Sequence, residues 1–301
     1  MAILKRPIER ILSTSHVGRF VRGRVRGKRL IIAYHGIVPK GQSAEGELAL
    51  FISQRDFAAH LELLREVADV APLDRIDDEG DGRPRVAITI DDAYRGAVRE
   101  GAEELVKRGM PATIFVAPAR LNRHVFWWDA LSSSRGTLDQ NVRSHAIHSL
   151  SGSEERVRDW AKRKLMRVSS GLPDHARTAT SDELRAAVGL PGIAVGSHSW
   201  SHVNLAGLPA ADLVSEVRQS RAWLKTEFGE KMTDWLAYPY GLDSIEARAA
   251  VADAGYVGAL RVTGGWHRSS DVSPFARPRF NVHAGLSVAG LKARLTGVVS
   301  A

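Results

Sequence analysis

Short apolar runs alternate along most of the chain with segments whose apolar positions have helical spacing. Residues 30–34 and 86–90 are nearly continuous apolar runs, whereas residues 57–67 and 210–228 have the spacing of one helical face. Such alternation is typical of a parallel sheet covered by helices on both faces. About seven strand–helix units favour a closed or nearly closed barrel. The other predicted strands are 112–117, 193–196, 235–238, 257–262 and 279–282, and the other predicted helices are 97–108 and 245–254.

Residues 122–182 interrupt this alternation. The segment is rich in His, Arg and Ser, and residues 154–168 have helical periodicity. We therefore expect an α/β domain over residues 30–301 with a helical insertion at about 122–182, preceded by an arm of residues 1–29. The pattern leaves open whether the insertion is a lid or a surface for a partner.

Composition and charge narrow the class of protein. The chain has 301 residues, 44% hydrophobic and 25% charged, as in an ordinary globular protein. The absence of Cys excludes a disulfide scaffold, a cysteine nucleophile and a thiolate metal site.

The net charge of +8 lies in the arm, because residues 1–29 hold nine Lys/Arg and one acid, while the charges of the remaining residues balance. A basic arm is typical of attachment to phosphates or to an anionic membrane face, with a solvated tail as the alternative. The neutral body and the lack of a binding motif argue against a nucleic-acid-binding protein.

The sequence also bears on location. No segment has the roughly 20 consecutive apolar residues of a transmembrane helix. Arg6, Glu9 and Arg10 interrupt the apolar core that a secretion signal needs, so we predict a cytoplasmic protein. Apolar residues at positions 3, 4, 8, 11 and 12 would line one face of a short basic helix, which leaves peripheral contact with the inner membrane face as an option.

Two carboxylates and two imidazoles follow predicted strands. Asp91 and Asp92 come directly after the strand at 86–90, and His198 and His202 follow a later strand. The carboxyl ends of parallel strands share one edge of the sheet, where the active sites of such folds lie. If the histidines form the first turn of a helix, both rings point the same way, and two such rings with a carboxylate form a common facial metal set. Taken singly, the Asp pair is also typical of a helix cap, and the His pair of ordinary polar residues.

Two other segments follow strands at the same edge. In the turn Y-P-Y-G at 238–241, Pro fixes φ and Gly permits tight bending. Such a turn can aim a backbone N–H into a site as an oxyanion donor, although a plain surface turn has the same pattern. His35 follows the first strand, and an imidazole there suits general-acid work or a structural hydrogen bond equally well. Four aromatic residues either present ring faces to a ligand or are ordinary core side chains: Trp127, Trp128, Trp200 and Tyr240.

Three segments together resemble the polysaccharide deacetylases of carbohydrate esterase family 4, the NodB homology domain. They are T-I-D-D-A at 89–93, H-S-W-S-H at 198–202 and A-Y-P-Y-G at 237–241. The chain is also similar to the subgroup of that family with an N-terminal Tyr-His motif. That likeness rests on Y-H-G-I at 34–37, F-W-W-D-A-L at 126–131 and P-R-F-N-V at 278–282.

The resemblance implies a distorted (β/α)7 barrel and a metal hydrolase. By that resemblance, Asp92, His198 and His202 hold a divalent ion, often zinc, with cobalt, nickel or manganese as alternatives. Asp91 is then the general base and not a ligand, and the N–H of Tyr240 shares the oxyanion with the ion. The residue that protonates the leaving amine is His35, as in the subgroup, or the rival His283. Residues expected to contact the substrate are Tyr238, Pro239, Trp200, Arg279 and His283.

The chain departs from the family pattern at two positions. Ala93 replaces a Gly, a mild change if φ there is negative, and Ala237 replaces the Arg that contacts the base in much of the family. We expect Arg279 to set the orientation and pKa of Asp91 instead. The predicted activity is N-deacetylation of N-acetylhexosamine in a glycan or in a lipid-linked or oligosaccharide intermediate. The alternatives are hydrolysis of a cyclic imide or ureide at the same site, and a catalytically silent glycan-binding module.

Overall fold

The computed structural model describes residues 25, 27–80, 82–122, 124–133, 136–169 and 171–296. Most of the predicted basic arm lies outside the described residues. The described strands, in chain order, are β1 Arg29–Tyr34, β2 Gly36–Val38, β3 Phe51–Ser53, β4 Asp69–Val70, β5 Arg85–Ile90, β6 Ala112–Val116, β7 Ile193–Ser197, β8 Met232–Ala237, β9 Gly258–Arg261, β10 Arg277–Pro278 and β11 Phe280–Asn281.

The main sheet closes on itself through one short stretch of chain. Six strands lie side by side in the order β9, β8, β7, β6, β5 and β1, and every pairing is parallel. β10 pairs with β9, and β11 pairs with β1. Only Arg279 separates β10 from β11, so residues 277–281 act as a seventh strand that bridges both edges. The predicted distorted (β/α)7 barrel is therefore confirmed.

Helices surround the barrel and begin at recognisable caps. Ser53 accepts the backbone N–H of Asp56, and Thr180 and Glu183 form a capping box. The predicted helix at 97–108 is a π-helical turn, Ala97–Gly101, that continues into α2. The α-helices of the described residues are α1 Gln54–Val67, α2 Ala102–Val106, α3 Trp127–Leu131, α4 Gln140–Ser144, α5 Glu154–Arg163, α6 Ser181–Gly189, α7 Ala210–Phe228, α8 Ile245–Asp253 and α9 Val288–Leu295.

Alternate side chains of the strands face different apolar cores. Leu30, Ile32, Val86 and Ile88 belong to the large core that also includes helix residues. The intervening residues form a separate cluster from five barrel strands and the segment after β4, which fills the barrel: Ile31, Leu73, Ile76, Ala87, Phe115, Trp235, Ala237 and Leu260. Burial on both faces explains why these strands appear in the sequence as continuous apolar runs.

Residues 122–182 carry α3, α4, a π-helical turn at His145–Ser149, and α5. The helix predicted over 154–168 begins at Glu154 and ends earlier, at Arg163. None of the helices in the described part of the chain has the length and apolarity needed to cross a membrane.

Candidate active site

Asp91 and Asp92 lie in a sharp turn directly after β5. The N–H of Asp91 still donates to Tyr34 O at 2.9 Å, whereas Asp92 has φ +70° and Ala93 has φ +50°. The condition under which Ala93 would be a mild change, a negative φ, is therefore not met. Ala93 is buried in the left-handed region, where a glycine would meet no Cβ penalty. The turn directs both carboxylates into the carboxyl end of the barrel.

The segment H-S-W-S-H is a loop, so the helical turn that would have aligned the two histidines is not formed. Ser199 has φ +61° and His202 has φ +63°, and the N–H of His202 donates to Ser199 Oγ at 3.0 Å. Glu216 of α7 braces the loop by accepting the N–H groups of Trp200 and Ser201, each at 2.9 Å. The two imidazoles still converge, with ring centroids 4.6 Å apart.

Asp92, His198 and His202 form a buried cluster. Asp92 Oδ1 lies 3.0 Å from His202 Nε2 and 3.6 Å from His198 Nε2. One ligand atom from each residue falls within 4.8 Å of the others. The three side chains are between 3% and 5% exposed. A carboxylate and two imidazoles in this arrangement are a donor set that divalent transition metals favour.

The protonation states of the cluster fit a cation. The Nδ1 atom of His198 lies 2.7 Å from Ala237 O, so this nitrogen carries the proton and Nε2 presents its lone pair. Burial lowers the pKa of His198 and His202 to about 4, which keeps both rings neutral at pH 7. Asp92 Oδ1 is buried and has no hydrogen-bond donor. A carboxylate oxygen without a donor, beside two imidazole nitrogens, is the pattern expected where a metal ion binds.

Arg279 holds the other carboxylate. Its Nη1 and Nη2 donate to Asp91 Oδ1 and Oδ2, each at 2.7 Å, and Nη1 also donates to Thr89 Oγ1 at 3.2 Å. Burial raises the pKa of Asp91, but Arg279 and the neighbouring imidazoles outweigh it and hold that pKa well below the ordinary range. Ala237 carries no charged group, and Arg279 supplies the guanidinium beside Asp91.

His35 follows β1 and stands beside Asp91. Its Nε2 lies 3.9 Å from Asp91 Oδ2, the same separation that His198 Nε2 has from that oxygen. The Nδ1 atom of His35 is buried without a hydrogen-bond partner. Burial is the main cause that lowers the pKa of His35, so the ring is neutral at pH 7.

A cavity of about 260 Å³ is lined by both aspartates and by the three histidines described above. Barrel strand ends and the loops after them form one side, and the insertion forms the other. The lining residues are His35, Leu50, Asp91, Asp92, Trp128, Arg143, Ile147, His198, His202, Tyr238, Tyr240, Gly241, Val262 and Asn281.

Tyr240 is fixed in the wall of the cavity. It has φ +59°, and its hydroxyl accepts from Trp127 Nε1 and donates to Gly152 O, both at 3.1 Å. Its ring meets His202 edge to face, with centroids 4.9 Å apart. The left-handed backbone and the two hydrogen bonds of the hydroxyl define how the Y-P-Y-G turn meets the site.

A chain of three buried side chains supports the same wall from behind. Trp128 Nε1 donates to the Tyr94 hydroxyl at 2.9 Å, and that hydroxyl donates to Asp129 Oδ2 at 2.5 Å. Asp129 Oδ1 accepts the N–H of Glu47 at 2.9 Å. The Trp128 ring lies 4.9 Å from the His202 ring, so the chain sets the orientation of a side chain that packs on the cluster.

Some predicted substrate residues lie elsewhere. Among the described residues, Trp200, Pro239 and His283 are not part of the cavity lining. His283 is exposed, with its Nδ1 2.8 Å from Ala284 O, so the structure does not bring this rival acid into the site. Arg279 is 1% exposed, and its guanidinium forms an ion pair with Asp91. Tyr238 does line the cavity, and its hydroxyl donates to Phe275 O at 3.0 Å.

Sequence reasoning missed several residues that shape the site: Tyr94, Asp129, Arg143, Gly152 and Glu216. Asp129 lies within the F-W-W-D-A-L segment, which could have drawn attention to it, but no pattern in the sequence places a helix residue such as Glu216 under a distant loop. The insertion, whose role was open, supplies part of the cavity wall.

Solved structures with similar folds include three bacterial proteins. The deacetylase PplD of Streptococcus pyogenes, in complex with acetate, superposes with a TM-score of 0.62 and 14% identity, covering 89% of this chain and 98% of that one. IcaB from Ammonifex degensii gives 0.61 and 16%, covering 89% and 97%. The polysaccharide deacetylase BC0361 of Bacillus cereus gives 0.63 and 16%, covering 89% and 69%. At these identities the likeness concerns the fold alone.

A comparison with curated proteins found no match. A model of the family described as polysaccharide deacetylase matches residues 78–259, more than half of the chain. This range contains the double-Asp turn, the two histidines of the cluster and the Y-P-Y-G turn. The chain therefore belongs to the polysaccharide deacetylase family, enzymes that remove acetyl groups from carbohydrate.

Proposed function

We propose that the protein is a divalent-metal-dependent hydrolase that removes N-acetyl groups from N-acetylhexosamine residues. The substrate is a glycan or a lipid-linked or oligosaccharide intermediate. One observation carries this proposal: the buried Asp92, His198 and His202 cluster shares a cavity with Asp91, a carboxylate that Arg279 holds from behind the wall. Three metal ligands beside a second carboxylate that is free to act as a base form an arrangement suited to hydrolysis of an unreactive amide.

The donor set favours zinc, while cobalt, nickel and manganese also accept two imidazoles and a carboxylate. Asp92, His198 and His202 would hold the ion, which supplies Lewis acidity towards the acetyl carbonyl and a lowered pKa for water. The hydrogen bond from His198 to Ala237 O orients one ligand, and packing of Trp128 and Tyr240 orients the His202 ring.

Two residues beside the cluster transfer protons in this proposal, Asp91 as the base and His35 as the acid. Asp91, kept ionised by Arg279, accepts a proton from the attacking water. His35 stands on the same side with Nε2 3.9 Å from Asp91 Oδ2, and a small shift brings the two into hydrogen-bond contact. Because His35 is neutral at rest, it can take the proton from Asp91 and deliver it to the departing amine. The backbone N–H of Tyr240 contributes a donor for the oxyanion.

The direct test is acetate release from a panel of N-acetylated glycans, measured with added zinc, with added cobalt and after chelation. We expect activity that chelation abolishes and metal restores. The variant Asp91→Asn should keep its metal content and lose activity, whereas Asp92→Asn should lose both. Activity that survives complete removal of metal would contradict the proposal. Release of ring-opened product from a cyclic imide, without acetate release, would favour the alternative hydrolase.

The arm and its location stay proposals of their own. Residues 1–29 carry the excess positive charge, which suits contact with an anionic membrane on the cytoplasmic side. Replacing the Lys and Arg residues of positions 1–28 with Gln in the full chain should weaken binding to anionic liposomes and leave acetate release from a soluble substrate unchanged. Equal liposome binding by both proteins would refute a role for the arm.

A further inference from the structure

The insertion gives the cavity three side chains that take no part in the proposed chemistry. Trp128, Arg143 and Ile147 line it, whereas the groups that hold the ion or move protons all follow barrel strands. Arg143 and Ile147 are four residues apart on continuous helical structure and share one face of it. Asn204 Nδ2 donates to Ile147 O at 3.2 Å, which joins this face to the loop that carries His202. Arg143 therefore has a defined place in the wall.

Arg143 is the one Lys or Arg side chain among the described residues of the lining. Its side chain is 30% exposed, and its Nη2 lies 3.0 Å from Glu47 Oε2. Glu47 is 4% exposed, and the N–H of Leu138 donates to the same oxygen at 2.8 Å. A buried, hydrogen-bonded carboxylate thus anchors one corner of the guanidinium.

The rest of that guanidinium is available to a ligand. A guanidinium carries five N–H donors in a rigid fork, and the Glu47 contact uses one nitrogen. Within the described part of the chain, Arg143 forms no other ion pair or side-chain hydrogen bond. The apolar neighbours Trp128 and Ile147 limit solvent screening, so the charge acts more strongly than at an open surface.

We propose that Arg143 binds an anionic group, a phosphate or a carboxylate, that the acetamido sugar or its neighbouring unit carries. This inference rests on the proposed deacetylation and names the class of its substrate. A forked guanidinium matches the paired oxygens of phosphate and carboxylate, and two parallel bonds between opposite charges add geometric specificity as well as binding energy that a single neutral hydroxyl does not offer. A neutral glycan would leave the N–H donors of Arg143 that Glu47 does not use without an anionic acceptor.

The test compares kcat/KM for three substrates: N-acetylglucosamine 1-phosphate, a glucuronate–N-acetylglucosamine disaccharide, and neutral N,N′-diacetylchitobiose. The first two distinguish phosphate from carboxylate as the anionic group. We expect Arg143→Gln to lower kcat/KM for the preferred anionic substrate about 10- to 100-fold and for the neutral one less than about 3-fold. Arg143→Lys should fall between, because it keeps the charge without the fork. The control Lys162→Gln removes an equal charge from an exposed position of the insertion and should change neither value.

A binding measurement separates this inference from the proposed function. Calorimetric titration of the full chain in an Asp91→Asn background reports affinity for the same three sugars without turnover. Tighter binding of an anionic sugar that Arg143→Gln abolishes supports the inference even if no acetate is released by the parent protein. Equal losses on charged and neutral sugars, or no preference for either anionic sugar in binding and turnover, overturn it.

Discussion

Arg279 lies where the barrel closes and donates a hydrogen bond to each carboxylate oxygen of Asp91, with both nitrogen–oxygen distances 2.7 Å. Arg279 is the single residue between β10 and β11, and its N–H donates to Arg261 O at 3.0 Å. At this residue the chain stops pairing with β9 and begins to pair with β1. The same residue places the cation beside the proposed base. Closure of the fold and ionisation of Asp91 depend on the same residue.

Replacing Arg279 with Gln should leave a buried carboxylate without its cation. We expect a loss of about 3–5 kcal/mol in the free energy of unfolding at pH 7, measured by urea denaturation. The folded-state pKa of Asp91 lies below its unfolded value, so the pair stabilises the protein above pH of about 4 and loses this effect as the pH falls further. The stability difference between parent and variant should accordingly shrink in acid.

The same variant should also change the pH–rate profile. Without Arg279 the pKa of Asp91 rises, so the acid-side loss of kcat/KM moves to higher pH. The matched control is Arg277→Gln, because Arg277 lies two residues away on the same stretch and pairs with Asp77 outside the cavity. It should cost stability without moving the profile. An unshifted profile in Arg279→Gln would contradict the role assigned to this residue.

Gly152 occupies a position where a side chain cannot fit without moving Tyr240. Gly152 has φ +63°, and a Cβ there would lie 2.4 Å from the Tyr240 hydroxyl. Gly152→Ala should destabilise the protein by about 2 kcal/mol or more, through backbone strain and loss of the hydrogen bond to Gly152 O. Displacement of Tyr240 should also lower kcat. Chemical denaturation and acetate-release kinetics measure the two effects.

The control for this glycine is Gly171→Ala. Gly171 belongs to the same insertion, is exposed, and has open space where a Cβ would stand. It should change stability by less than about 1 kcal/mol and leave the kinetics unaltered. Equal behaviour of the two variants would show that Tyr240 tolerates displacement.

The meeting of Asp92, His198 and His202 was predictable because it follows from topology. Each follows an apolar run, and parallel strands place their carboxyl ends at one edge whatever the loops do. The local conformations were not predictable in the same way. Ser199 and His202 both have positive φ, although neither is a glycine, and long-range contacts such as the brace from Glu216 fix the loop.

The contrast between His35 and His283 shows that the position of a residue after a strand does not by itself predict whether its side chain enters the site. Both were predicted to lie near the rim because both follow strands. His35 lines the cavity, whereas His283 follows Val282, the last residue to bond back to β1, and is exposed. The direction of a side chain just beyond a strand depends on the loop, which a single sequence does not encode by periodicity.

The Tyr94 hydroxyl links the side chains of Trp128 and Asp129, accepting from Trp128 Nε1 and donating to Asp129 Oδ2. Tyr94→Phe removes that link and leaves two buried polar groups without this partner, so we expect a cost of about 1–3 kcal/mol in the free energy of unfolding. Because Trp128 forms part of the cavity wall, KM should rise more than kcat falls. The control Tyr256→Phe loses a buried hydroxyl that donates to Val217 O at 3.0 Å, outside the cavity. It should reduce stability and leave KM unchanged; a rise in KM for both would argue against a specific role of Tyr94.

Asp129 should make the stability of the protein depend on pH in a direction opposite to that of Asp91. Burial is the main cause that raises the pKa of Asp129 to about 8, although hydrogen bonds from Glu47 N–H and Tyr94 partly oppose it. An acid whose folded pKa lies above its unfolded value stabilises the protein fully below the unfolded pKa, and this contribution is lost as the pH rises from about 4 to about 8.

The variant Asp129→Asn isolates this effect, because asparagine cannot ionise and keeps an oxygen for the N–H of Glu47. At pH 5 the variant should be less stable than the parent, since its amide cannot reproduce both hydrogen bonds of the carboxyl group. The deficit should shrink by a few kcal/mol as the pH is raised to 8, since one pKa unit corresponds to about 1.4 kcal/mol. Urea denaturation of both proteins at several pH values measures the difference and cancels the titration of all other groups. A difference that stays constant between pH 5 and 8 would mean that Asp129 is ionised throughout, with the Tyr94 hydroxyl as donor to a buried carboxylate.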